Sequence, residues 1–433
     1  MSKEKTAIVW FTNNLRVSDN TVLSLALKNH TRVFCVYCFN KSTFEGSFYG
    51  FKRISIYRTK FLIESVSTLK KNLETNNIPL FVYYGKPEKK ISELFLSLKA
   101  EFLYVQKETT KEENELINLV EKSLPRNVHI KKIFDQFLFH PDLLNFDSEK
   151  KLKSFSSFRK RAGKIKLKLE LGQCIKKPKN NLTHNTTKIP CIETLGFKNY
   201  TQNPNSCYTF VGGEDSANKR VENYFFETKE IRNYKKTRNG LIGPDYSSKL
   251  SPWLANGSIS TRTVYSKILE HERSFGRNES TYWLFFELLW RDFFKHISII
   301  HSKTLFLRGG MQKKHVLWKK DRQLIDSWIN GKTSEPFVNS NMVELKKTGW
   351  MSNRGRQITS SYFTKNLYLD WRVGAAYFES ALVDYDVHSN YGNWQYVAGV
   401  GNYFKSRSFD IPWQAKTYDS NKDHQSIWLK NKK

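Results

Sequence analysis

An α/β domain built on a Rossmann-like parallel sheet, followed by an all-helical domain, is the architecture this 433-residue sequence predicts. Over residues 1–140, short apolar runs alternate with amphipathic stretches of helical length. That is the rhythm of a parallel sheet covered by helices on both faces. Over residues 212–433 the apolar period becomes 3.6, and no long alternating strand is evident. Residues 141–211 between them, including KIKLKLELGQCIKKPKNNLTHNTTKIP, are basic, polar and weakly periodic, and read as an interdomain linker, part of it mobile on the surface.

The strands expected in the first domain are Ala7–Phe11, Arg32–Cys38, Leu80–Tyr84 and Phe102–Val105, with the clearest helix over Lys52–Leu73. The connection after the first strand, TNNLRVSDN, holds no G-x-G-x-x-G, so a dinucleotide fingerprint is absent. Asp19 in it is placed to cap the next helix. In the second domain Ser216–Tyr234, Arg262–His271, Tyr282–Ile300, Arg322–Trp328, Thr359–Leu369 and Gly374–Asp384 read as helices. Ten of the eleven Trp lie beyond residue 250. Indoles are large and their N–H needs a partner, so such a concentration signals either a Trp-rich core or a flat aromatic ligand.

Lys and Arg number 71 against 41 Asp and Glu, a formal charge of +30. That excess repels itself unless a polyanion is a regular partner, and nucleic acid is the natural one because phosphate contacts release counterions. An acidic membrane surface, or the general charge of a high-pI cytoplasm, are the alternatives. No run of about 18 apolar residues occurs, so nothing is expected to span a bilayer. Cys35 and Cys38 have C-x-x-C spacing but fall in the strand-like VFCVYCF, which favours packing over metal or redox chemistry. The odd total of five Cys suits a reducing compartment, MSKEKT shows no signal peptide, and a cytoplasmic monomer is expected.

Three segments carry chemistry. In TRNGLIGPDYSSKLSPWLANG, Ser247, Ser248 and Ser251 cluster before a helix-like stretch, either an anion seat or a simple capping cluster. In WLFFELLWRDFFKH, Glu287, Trp290 and Arg291 fall on one helical face. A Glu among aromatics must be protonated or hydrogen-bonded, or else paired inward with Arg291. In TGWMSNRGRQITSSYF, Arg356 is placed to answer the acidic pair Asp384 and Asp386, whereas Arg354 is either functional or ordinary surface.

Taken together these segments resemble the photolyase/cryptochrome family, and within it the DASH cryptochromes. WFTNNLRVSDN, TRNGLIG, YSSKLSPWLANG, FELLWRDFF, TGWMSNRGRQ, DWRVGAAYFE and SNYGNWQYVAGVGN occur in family order, nearly end to end. The resemblance implies a U-shaped FAD in the helical domain. Tyr234 would stand beside its phosphates, and Ser247, Ser248, Lys249, Leu250 and Ser251 would cradle them. Trp283, Glu287, Arg291, Trp350 and Asn353 would line the flavin and substrate cavity. Arg356 would pair with Asp384 near the isoalloxazine, Asp386 would approach the ring's polar edge, and Asn390 would face N5. Trp394, Trp371 and Trp318 match the family's electron-transfer series, from flavin outward, or serve packing alone.

The reaction implied is light-driven splitting of cyclobutane pyrimidine dimers, the cofactor carrying the hard chemistry. Glu287 would bond the dimer, Asn353 would assist, and Arg238 and Arg354 would meet flanking phosphates. Trp290 would form one wall. Tyr396 and Gln357, where duplex-repair enzymes carry Trp and Met, resemble the DASH pattern and fit lesions in single-stranded DNA. His388 reads as a local helix or loop residue. A methenyltetrahydrofolate antenna would sit between the domains, near FLFH (Phe137–His140) and GFKRISIYRTKFLIES, although both stretches are substituted. The alternative function is a blue-light sensor that binds nucleic acid without repairing it.

Overall fold

The computed structural model describes residues 5–144, 152, 154–402 and 408–429. Tyr403 and Phe404, which end the aromatic run, and a short part of the 141–211 stretch lie outside them. The strands are β1 (Thr6–Phe11), β2 (Arg32–Asn40), β3 (Ser47–Phe48), β4 (Phe51–Lys52), β5 (Leu80–Gly85), β6 (Phe102–Gln106) and β7 (His129–Ile133). Five of them form a sheet in the order β5-β2-β1-β6-β7, parallel throughout, while β3 and β4 make a separate hairpin. Central β1 alternates between two cores. Ala7, Val9 and Phe11 pack with Val22 and Leu69 on one face, and Ile8 and Trp10 with Ile91, Phe95 and Ile117 on the other. Burial on both faces is why β1 reads as a continuous apolar run. β7, HIKKI, has no such signal because it is an edge strand whose lysines face solvent.

The long helix predicted from Lys52 runs over Ile56–Glu74, capped by Ser55. Asp19 does not cap its helix. Asn20 does, accepting from Leu23 N at 3.0 Å, while Asp19 adopts φ +48° and turns toward the helical domain. The stretch 164–212 has little regular structure, yet it is tied to the sheet. The Asn181 amide bonds both Val33 N (2.9 Å) and Val33 O (3.0 Å), and Lys177 Nζ caps the carbonyls of Leu27 and His30.

In the second half, helices Thr261–Phe275, Glu279–His301, Arg322–Ile329 and Trp371–Ala381 stand where the 3.6 period places them. The predicted Ser216–Tyr234 helix is broken. Glu214–Glu222 passes into a π turn at Asn223–Glu227, and Lys229 at φ +55° precedes two short turns. Thr359–Leu369 is divided between helix Asn353–Ser361 and a second π turn, Tyr362–Asn366. Pro336–Thr348 gave no amphipathic signal because it is buried nearly all round, with Asn339, Ser340, Asn341 and Glu344 enclosed beside Phe337 and Met342.

Buried charges join the two halves. Arg16 and Arg262 converge on Asp135, Arg262 at 2.8 Å, and Arg262 Nε also meets Asp19 at 3.0 Å. Ser260 Oγ donates to Asp19 as well. Burial pushes the Asp135 carboxyl up, but Arg16 and Arg262 outweigh it and hold the group below its ordinary value. Asp135 therefore stabilises the fold above the unfolded-state pKa of about 3.9, and that contribution is lost as pH falls through the lower native value. Breaking a buried network leaves uncompensated charge, so Asp135→Ala is expected to lower unfolding free energy by about 3 kcal/mol at pH 7, read by urea denaturation. The gap to wild type should shrink in strong acid; an equal gap at pH 7 and pH 3 would show that the ion pairs are not its source.

Candidate functional site

A cavity of about 450 Å³ opens in the helical half. Its long wall is helix Glu279–His301, started by an Asn278–Thr281 capping box. Glu287, Trp290, Arg291 and Phe294 recur along one face of this helix, and all four line the cavity. On another face Asp292 accepts the backbone N–H groups of Leu138 (2.9 Å) and Phe139 (2.7 Å), so the wall is pinned to the sheet-bearing half. Burial pushes Asp292 up to about 6 against those two bonds. The facing wall is helix Val387–Ala398, with Asn390, Trp394 and Tyr396. The two helices approach closely at Gly392, where an added Cβ would lie 2.2 Å from the Phe294 ring.

One end of the cavity is the loop 246–251. Arg220, buried behind it, donates to the carbonyls of Ser248 (2.9 Å), Ser247 (3.1 Å) and Pro244 (3.1 Å), and to Asp245 Oδ1 (2.9 Å). The carbonyls are thus drawn toward Arg220, while Ser247, Ser248, Lys249, Leu250 and Ser251 line the cavity. Tyr234 lines it from the neighbouring short helix. Lys249 adopts φ +58°, and its Nζ lies 2.9 Å from the Tyr246 ring centroid and 5.1 Å from that of Trp350. Burial pushes this ammonium down to about 7, against the Cys207 thiol beside it and the Glu344 carboxylate, which favour the charged form. A buried cation beside serine hydroxyls is the donor set for a phosphate.

Deeper in, Arg356 Nη2 contacts both Asp384 oxygens at 2.9 Å, and Ser251 Oγ donates to Asp384 at 2.7 Å. Asp386 does not share Arg356. It caps helix Val387–Ala398 through Ser389 N (2.8 Å) and pairs with Lys295 at 3.3 Å. Burial would raise its carboxyl, but Lys295 and His388 hold it well below the ordinary range. His388 is more than a local residue. It accepts from Lys295 Nζ at 3.1 Å and bonds Thr109 Oγ1 at 2.9 Å, joining the cavity to the other half. Asn390 Nδ2 donates to Ala375 O at 3.0 Å.

At the mouth, Glu287 pairs with Arg238 at 2.8 Å rather than with Arg291, whose guanidinium instead holds the carbonyls of Gln136 and Leu254. Burial raises the Glu287 pKa, and Arg238 opposes it. Arg238 is therefore a cavity residue with a carboxylate partner, not a free surface cation. Arg354 is engaged too. It donates to Asn239 Oδ1 (3.0 Å) and Gln414 Oε1 (3.4 Å) and covers the Tyr418 ring at 4.5 Å. Trp290 stacks on Phe155 at 3.7 Å and meets Tyr396 edge-on at 6.3 Å. Asn353, Gln357 and Trp350 complete the rim, and the indole N–H of Trp350 donates to Tyr246 Oη at 3.1 Å. Trp283 is not among the lining residues. It stacks behind Phe286 at 5.1 Å, under Lys235 and Arg238.

Trp394, Trp371 and Trp318 share one buried core. Trp394 lines the cavity and lies against Gly374, where a Cβ would come within 2.2 Å of its ring. Trp371 donates to Arg308 O (3.1 Å), and Arg308 Nη2 donates to Trp318 O (3.3 Å). Trp328, which the sequence did not single out, is the neighbouring indole of Trp394, at 6.2 Å edge-on. Arg220, Lys295 and Thr109 were likewise missed, because each acts through a partner distant in sequence and none lies in a motif. The two stretches read for an antenna bind the halves together. Leu138 and Phe139 belong to the Asp292 anchor, Arg53 pairs with Glu379 (2.8 Å) and with Glu112, and Arg58 covers Tyr385 at 4.7 Å. Among the described residues no cluster of metal-ligating groups occurs, Cys35 and Cys38 are buried free thiols, and no helix is long and apolar enough to cross a membrane.

Comparison with known proteins accords with this arrangement. Residues 7–179 match the DNA photolyase family model, and residues 283–433 match the FAD binding domain of DNA photolyase. A cryptochrome DASH of Oryza sativa subsp. japonica is 38% identical over 450 residues, covering 98% of this chain and 76% of the relative. One from Gloeobacter violaceus is 39% identical over 428 residues, covering 98% and 85%. Among solved structures, a Synechocystis cryptochrome superposes with a TM-score of 0.93 at 37% identity, covering 99% of this chain and 89% of that one. The chain belongs to the photolyase/cryptochrome family and, within it, to the DASH-type cryptochromes.

Proposed function

We propose that this protein uses light and reduced FAD to reverse cyclobutane pyrimidine dimers, preferentially in single-stranded DNA. The observation that carries this reading is the polarity of one cavity. A serine loop with a buried lysine stands at one end, and a Glu–Arg pair between aromatic walls at the mouth. Reduced FAD held there would, on absorbing light, supply the electron that splits the dimer and take it back once the two pyrimidines have separated.

The chain's own groups then have distinct tasks. Ser247, Ser248 and Lys249 hold the pyrophosphate, with Tyr234 beside it. Arg356 and Asp384, already paired, would present a fixed dipole to the flavin. Asn390, with Nδ2 committed to Ala375 O, would keep Oδ1 to accept a hydrogen bond from the reduced flavin. Glu287, raised by burial, donates to a carbonyl of the dimer when protonated and releases Arg238 toward the strand. Asn353 is the second polar group at that edge. Trp290, Tyr396 and Gln357 receive a flipped dimer, with one indole rather than two to hold it. Trp394, Trp371 and Trp318 carry oxidising equivalents outward when the flavin must be re-reduced.

The decisive experiment illuminates the reduced holoprotein with a dimer-containing oligo(dT), single- and double-stranded. Restoration of the thymine absorbance, faster on the single strand, is expected. Tight binding with no turnover would instead make the protein a sensor.

Glu287→Ala is expected to slow repair by about 10²-fold while changing FAD content little, because the lost bond acts on the developing charge. Glu287→Gln keeps a donor and should recover most of the rate. Since ionisation removes the donor, wild-type repair should decline as pH rises through the raised Glu287 pKa, and the Gln variant should not. A parallel fall in both would point to another group.

Lys249 gives a separate prediction. Below pH 7 the ammonium is charged and attracts the pyrophosphate; above it the apoprotein has lost that proton. FAD affinity should therefore fall as pH rises from 7 to 9, and Lys249→Met should bind FAD roughly tenfold more weakly at pH 6.5 with no such slope. Calorimetric titration of the apoprotein reads both quantities, and a variant that kept the slope would remove Lys249 from the phosphate site.

A further inference from the structure

Trp413 is 56% exposed, whereas nine-tenths or more of Trp253, Trp328, Trp371 and Trp394 is buried. It lies on helix Ile411–Tyr418, whose inner face is Ile411 and Gln414. Trp413, Lys416 and Thr417 make the outer face, at i, i+3 and i+4. Among the described residues no aromatic ring or cation is seated on the indole. An indole left in water forgoes the burial its size favours, unless a partner covers it.

This helix is fastened to the cavity mouth. Phe409 lines the cavity, and its N–H bonds Ser361 Oγ at 3.2 Å. Asp410 caps the helix by accepting Trp413 N at 2.9 Å. Gln414 accepts from Arg354 at 3.4 Å, and Arg354 follows Asn353 of the rim. The helix thus packs beside the rim, with the indole and the Lys416 ammonium on its solvent-facing side, on a chain of formal charge +30.

We propose that Trp413 is a stacking platform for an unpaired base flanking the lesion, with Lys416 meeting the adjoining phosphate. The proposal rests on the cavity's being a site for dimers in single-stranded DNA and adds where the strand runs beyond it. Aromatic rings stack any base, and a cation one helical turn away neutralises the backbone, so the pair tracks a strand without reading its sequence. A duplex already has its bases stacked and paired, so the platform acts on single strands alone.

The test titrates fluorescent single-stranded oligo(dT) into the holoprotein and follows anisotropy. Four strands are compared: dimer-containing, the same with an abasic residue 5′ of the dimer, the same with one 3′ of it, and dimer-free. Wild type should bind one of the two abasic strands about tenfold more weakly than the intact dimer strand. Trp413→Ala should bind the intact strand about tenfold more weakly and show no further loss on the abasic one; Trp413→Phe should restore most of the difference. Unchanged FAD content and melting temperature in both variants keep the comparison clean. A Trp413→Ala protein that binds like wild type, or still discriminates the abasic strand, overturns the platform and leaves the cavity's function standing. Wild type that does not prefer the dimer strand to the dimer-free one overturns both.

Discussion

The Asp292 carboxylate, accepting the N–H groups of Leu138 and Phe139, holds helix Glu279–His301 against the sheet-bearing half. Every cavity residue on that helix takes its position from this anchor. A carboxylate buried so deeply would be costly alone, and its rise to about 6 measures what remains after two backbone bonds. The Asp135–Arg16–Arg262 cluster joins the two halves at a second point, through helix Thr261–Phe275. Rigid placement matters because the cavity's groups act by position rather than by covalent chemistry.

Much of the charge around the cavity is arranged in pairs. Arg356 answers Asp384, Lys295 answers Asp386, and Arg238 answers Glu287. Lys249, at the serine loop, has no carboxylate at salt-bridge distance among the described residues; its ammonium lies over the Tyr246 ring beside Cys207. Paired charges shape a site without drawing in ligand; a buried cation with no such pair lowers its own cost when an anion arrives. Arg354 is held at the rim by neutral partners, Asn239, Gln414 and Tyr418.

The indoles behind the Trp-rich signal differ in what covers them. Trp394, Trp371 and Trp318 share a core running from the cavity wall. Trp253, Trp328 and Trp283 pack, the last against Phe286 although the family pattern placed it in the cavity. Trp290 is held flat by Phe155, a contact across more than a hundred residues, and Trp413 remains open to solvent. Composition alone could not separate these kinds, since an indole's task depends on which face is covered.

The sequence by itself determined the parallel sheet, the helical second half and the motif order that marks the family. Those signals are local: period, apolar runs and short contiguous strings. It also placed Glu287, Asn353, Arg356, Asp384 and Asn390 around one site. The tertiary structure alone decided who pairs with whom. Glu287 meets Arg238 across 49 residues of chain, not Arg291 four residues away on its own helix, because Arg291 is turned to the carbonyls of Gln136 and Leu254. The buried-all-round helix Pro336–Thr348, the edge strand β7 and the π turn after Glu222 were illegible for a related reason. Each is stabilised by contacts distant in sequence, and no local period records them.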